Sequence, residues 1–189
     1  MARGKKSGLM ACAGAAVCLL VLAAGCGSSG DEKHPEPKAS AGKDDGEKKR
    51  AAAERDALAA YRGMWDAQVE AYSSGSMKNA KLGDYTTGDA AAMIIESFTY
   101  YNANDLAFKG RPDTSPKVSA VDVASSVHTA TIDDCVDMTG VLIRRSSGKP
   151  IARAKEGDRH PWTARATTAK DGKGGWRITD YTIDRDRPC

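Results

Sequence analysis

The sequence lacks the spacings that carry most metal and nucleophile chemistry. It has three histidines and five cysteines, and neither is clustered at metal-ligand spacing. There is no Gly-x-Ser-x-Gly turn and no serine with a plausible neighbouring base, which argues against the usual hydrolase nucleophile. Ser146-Ser147-Gly148-Lys149 has neither the first glycine nor the strand-to-helix setting of a phosphate loop. No segment repeats. An excess of one charge is also missing. The formal +3 belongs to Arg3, Lys5 and Lys6; beyond residue 26, 25 Lys and Arg meet 25 Asp and Glu. No electrostatic footprint for nucleic acid follows from that balance, and no cofactor is implied.

The N-terminus carries a definite pattern. Three positive charges precede the uncharged apolar run from Leu9 to Gly25, the layout of a secretory signal peptide. The run is shorter than the roughly 20 apolar residues a membrane-spanning helix requires, and it ends in small residues.

Leu22-Ala23-Ala24-Gly25-Cys26 resembles a lipobox, the site at which a cysteine receives a diacylglyceryl group and becomes the mature N-terminus. Ala24 and Gly25 fit the pattern. Ala23 departs from it, because the common Leu stands one step earlier at Leu22, and an ordinary secretory cut after Gly25 is the alternative. The resemblance implies residues 1–25 as leader, lipidation at Cys26, and a chain held on the outer face of a cell membrane. Acyl chains anchor durably because each buried methylene contributes about 0.8 kcal/mol.

Cysteine accounting then sharpens. Cys12 and Cys18 leave with the leader and Cys26 is taken by lipid, so only Cys135 and Cys189 remain. Outside the cytosol such a pair is expected to oxidise, stapling a chain end that would otherwise fray. Two free thiols or an intermolecular bridge are the alternatives.

Residues 26–50 read as a lipidated cysteine followed by a tether, because no aromatic and no aliphatic residue larger than Ala occurs from Gly27 to Arg50. Such a segment cannot bury enough apolar surface to offset its ordering entropy. Glu47 to Arg50 can also serve as the frayed start of the next helix.

From Ala51 to Cys189 the pattern predicts one α+β domain. Leu58, Tyr61, Trp65, Val69 and Tyr72 recur at three- and four-residue steps, with Arg62, Asp66 and Glu70 on another face, until Ser73-Ser74-Gly75 stops the helix. A short turn or helix covers Asn79 to Tyr85. Thr87 or Asp89 caps a second long helix with Met93, Ile94, Phe98 and Tyr101 as its stripe. Residues 118–123, 127–136, 141–145, 162–168 and 176–183 are rich in β-branched residues and predict an antiparallel meander with turns at 146–149 and 170–175.

Two helices followed by such a sheet resemble the NTF2-like (SnoaL-like) cone. The Tyr61-x-x-Met64-Trp65 helix, Lys109-Gly110-Arg111-Pro112, Asp134-Cys135-x-Asp137 and Gly175-Trp176-Arg177-Ile178 are similar to secreted lipoproteins of high-GC bacteria placed in that group. The resemblance implies a curved sheet closing over the helices, often around a pocket. Some members use that pocket for acid-base catalysis and many only bind or dimerise; none of the enzymes' catalytic motifs is matched here.

Candidate pocket residues are Trp65, Tyr101 and His128. His128 alternates with Ala130 and Ile132 and so points toward the core if that face is buried; a satisfied structural histidine is the alternative. His160 precedes Pro161 at a strand start and is expected to be exposed. Asp133 and Asp134 must point to opposite faces of a strand, so they cannot share one ion, and the acidic run reads as a solvated strand end. Asp184-Arg185-Asp186-Arg187 reads as a charged edge. The leading expectation is a non-enzymatic binding or assembly module at the membrane surface. A small apolar ligand or an envelope protein is its expected partner. A pocket enzyme and a subunit of a secretion or conjugation assembly are the rivals.

Overall fold

The computed structural model describes residues 41–138, 140–151, 162–170 and 174–189. The expected leader, Cys26, residues 27–40 of the expected tether and His160 lie outside the described residues.

Helix α1 runs Ala41–Ser74, so residues 41–50, expected as part of the tether, are helical, and that boundary is corrected. Residues 44–51 of it are exposed on every side, and burial starts at Ala53, near where the apolar period begins. From there Ala57, Tyr61, Met64 and Trp65 are buried while Arg62, Asp66 and Glu70 face solvent, as 3.6-residue periodicity requires. Gly75 ends the helix with φ of 72° and donates its N–H to the Ala71 carbonyl at 2.9 Å. Short α2 (Leu82–Tyr85) and α3 (Gly88–Ala103) follow, with Thr87 in the N-cap position of α3. Gly63, in the middle of α1, lies against the Tyr85 ring so closely that a Cβ would overlap it.

The main sheet is antiparallel. Strand β4 (His128–Asp137) lies between β3 (Lys117–Asp122) and β6 (Trp162–Lys170), with the short β2 (Asp113–Thr114) on the far end of β4 and β7 (Arg177–Pro188) on the outer edge. Inward residues of β4, β6 and β7 join α1 and α3 in one core built on Tyr61, Met64, Ile94, Ile132, Val136 and Ile178. This is an α+β fold with helices packed against an antiparallel sheet.

The expected uninterrupted meander is corrected at one strand. Val141–Arg144 (β5) leaves the main sheet and pairs with β1, Leu106–Lys109, which was not anticipated. The physical reason lies in Leu106, Ala107 and Phe108, three buried residues in a row whose backbone polar groups need a ladder partner. Arg145 locks the pair, donating to the Leu106 carbonyl at 2.7 Å and to Asn102 Oδ1 at 3.1 Å. Residues 146–149 form a tight turn, with Gly148 at φ 67°, and fold the chain back along β5.

Two bulges decide which side chains reach the core. Register shifts between Val118 and Ala120 in β3, and opposite Thr167 and Thr168 in β7, where Thr179 is the extra residue. Ile178 and Tyr181, three residues apart, therefore both face inward. At the far end of β7, Arg185, Asp186 and Arg187 fall outside the ladder while Pro188 pairs with Trp162. That detour brings Cys189 to Cys135 on β4, joined in a disulfide with Cα atoms 5.9 Å apart.

Candidate functional site

The inner face of β4 alternates Ala130, Ile132, Asp134 and Val136, all buried. Asp134 is thus drawn into the core by its place in the alternation. Its Oδ2 accepts from the Tyr61 hydroxyl at 2.8 Å, and its Oδ1 accepts from the Ser115 and Cys135 N–H groups at 2.6 and 2.8 Å. Burial raises the Asp134 pKa above the usual carboxylate value against the opposing pull of those bonds. Burial, and next the Asp134 charge, push the Tyr61 phenol far above its ordinary value. The reading of residues 133–137 as a solvated strand end is therefore corrected for Asp134. It holds for Asp133, which points outward and meets Arg165 at 2.7 Å.

Beside this pair a cavity of about 340 Å³ opens between α1, α3 and β7. Its walls come from Trp65, Gln68, Val69 and Tyr72 on α1, and Met93, Ile94, Ser97 and Tyr101 on α3. Phe108, Pro112, Met138 and residues Tyr181, Thr182, Ile183 and Arg185 of β7 complete it. The α1 residues follow from the helical repeat, since positions 65, 68, 69 and 72 share one stripe. Tyr181 is delivered by the bulge at Thr179.

Most of the wall is apolar or aromatic. Trp65 stands edge-on to Tyr181 with ring centroids 5.6 Å apart, and Tyr72 stacks on Tyr101 at 4.9 Å. Three buried polar atoms interrupt it without a hydrogen-bond partner: Trp65 Nε1, Gln68 Nε2 and the Tyr181 hydroxyl. Trp65 Nε1 is near enough to the Tyr61 oxygen to oppose the rise in that group's proton affinity, yet it makes no bond of ordinary geometry. Burial pushes the Tyr181 phenol well above its usual value; Tyr61, Tyr72 and Asp134 add to the rise, and Arg185 opposes it least of all.

Of the sequence-derived candidates, Trp65 and Tyr101 line the cavity and His128 does not. His128 faces the same side of β4 as Ala130 and Ile132, but it is the first residue of the strand and packs by the Trp176 ring, 6.4 Å between centroids. No base is supplied to the cavity from that position. Gln68, Tyr181 and Asp134 were missed because polar residues are counted as solvated when a sequence is read for apolar stripes. The signal that would have found Gln68 and Asp134 is their phase, three residues after Trp65 and between Ile132 and Val136.

No family model and no curated protein matches the chain. Among solved structures it is similar to the intermembrane-space region of the chloroplast protein ARC6. Identity is 14%, the match covers 69% of this chain and 95% of that one, and the TM-score is 0.46. No residue role passes from that protein to this one. Among the described residues no helix is long and apolar enough to cross a membrane, and no three His, Cys, Asp or Glu side chains converge as metal ligands would.

Proposed function

We propose that this chain is an extracytoplasmic lipoprotein, anchored by Cys26 to the outer face of a cell membrane, whose NTF2-like domain binds a small, largely apolar molecule. The observation that carries the binding role is the 340 Å³ cavity with three unpartnered buried polar atoms in a mostly apolar wall. Ligand sites have that make-up, an apolar enclosure with a few converging polar groups. A domain tethered within a few nanometres of a membrane also meets membrane-derived molecules at raised effective concentration.

A binding role is favoured over catalysis because Asp134, the nearest buried carboxylate, is turned toward Tyr61 and two backbone N–H groups and is not part of the cavity wall. The disulfide between Cys135 and Cys189 fits an oxidising compartment.

Two measurements test the reading. Metabolic labelling with an alkyne fatty acid should mark the wild-type protein and not Cys26→Ser; equal labelling of both would remove the anchor. Native mass spectrometry of protein taken from its own envelope should show a small adduct that organic solvent extracts. A bare mass, together with failure of every apolar probe to saturate the protein, would remove the binding role.

A further inference from the structure

We propose that the cavity takes a neutral, mainly apolar molecule with a carbonyl oxygen leading, and that Trp65, Gln68 and Tyr181 are the donors that receive it. The inference rests on the binding role above and adds the chemical class of the ligand.

An unmade hydrogen bond at a buried polar group costs roughly 1 to 3 kcal/mol, so three on one cavity are a standing cost unless something fills the space. All three residues are more than nine-tenths buried and all three line the same cavity. Their chemistry is one-sided. An indole N–H only donates, the unpartnered amide atom of Gln68 is its nitrogen, and a phenol that holds its proton tightly is a donor as well. The group that satisfies them is therefore an acceptor.

Charge decides which acceptor. The three donors are neutral, and Arg185, the one charged residue on the wall among the described residues, is exposed. A carboxylate placed at these donors would be a buried charge with no buried counter-charge on the wall. A ketone, ester or amide oxygen brings the lone pairs without the charge. Arg185 is exposed where it borders the cavity, so an anionic amphiphile would bind the other way round, with its head outward.

The test uses the full mature chain with Cys26→Ser, which keeps apolar probes out of micelles, and three matched probes: 2-acetylnaphthalene, 2-ethylnaphthalene and 2-naphthoate. Titration is followed at neutral pH by tryptophan fluorescence. The ketone should bind roughly tenfold tighter than the ethyl compound, the difference two to three modest hydrogen bonds make, and naphthoate weakest of the three. Tyr181→Phe and Gln68→Leu should each shrink the preference for the ketone over the ethyl compound several-fold. Equal affinity for ketone and ethyl compound would overturn the carbonyl assignment while the binding role stands. Naphthoate binding tightest would overturn it in favour of an anion site at Arg185. Saturation by none of the three would overturn both. The wild-type ranking decides these outcomes without any variant in the wall.

Discussion

Tyr61 and Asp134, 73 positions apart, meet across the interior in a hydrogen bond of 2.8 Å that ties the middle of α1 to the middle strand of the sheet. Because Asp134 also accepts two backbone N–H groups, one side chain satisfies donors from α1, from the segment before β3 and from β4. Asp134→Ala would leave a buried phenol and two N–H groups unmatched, at a cost of roughly 2 to 4 kcal/mol. Tyr61→Phe removes one donor from a carboxylate that keeps two, and should cost about 1 to 2 kcal/mol. Urea unfolding of each variant checks the order; equal costs would show that Asp134 serves Tyr61 alone.

The pH dependence of that site has a definite sign. Asp134 is raised in the folded protein, so its contribution is fully present below the unfolded value of about 4 and is lost as pH rises through the higher folded value. The stability of wild type minus that of Asp134→Asn should fall as pH climbs from about 4 through the higher folded value and level off above it. A difference that grows instead would mean that the three hydrogen bonds outweigh burial.

Reduction of the Cys135–Cys189 bridge opens a loop whose ends are 54 residues apart, for which chain entropy predicts a loss of about 4 kcal/mol. Dithiothreitol, or Cys189→Ser, should lower the urea midpoint and speed amide exchange at residues 183–188. That stretch depends on the bridge because Arg185–Arg187 already lie outside the ladder. Unchanged exchange there would show that β7 holds its end without the bridge.

Gly63→Ala should destabilise. In an exposed helix interior the same change is worth up to about 1 kcal/mol in favour of Ala, but here the new Cβ would overlap the Tyr85 ring, and overpacking costs about 1 to 3 kcal/mol. Adding Tyr85→Ala should recover part of the loss in thermal unfolding. A gain in the single variant would mean that the ring swings away freely.

Much of this domain could be read one residue type at a time. Helical spacing placed Tyr61 and Trp65 inside, strand alternation put Asp133 and Asp134 on opposite faces, and counting sulfurs paired Cys135 with Cys189. Each is a local rule, in which the period of the backbone fixes the side a side chain takes. The proposed leader and the proposed lipidation of Cys26 likewise rest on patterns of adjacent residues.

Tertiary structure decided the rest, because it depends on partners distant in the chain. Whether β5 joins the sheet or β1 turns on which strand has unmet backbone groups. Tyr181 reaches the cavity only because a bulge opposite β6 advances β7 by one residue. Gln68 and Asp134 are polar side chains whose burial is set by what covers them, and His128, in phase with the core, ends beside Trp176 because the strand begins there. Periodicity names a face; only packing says what that face meets.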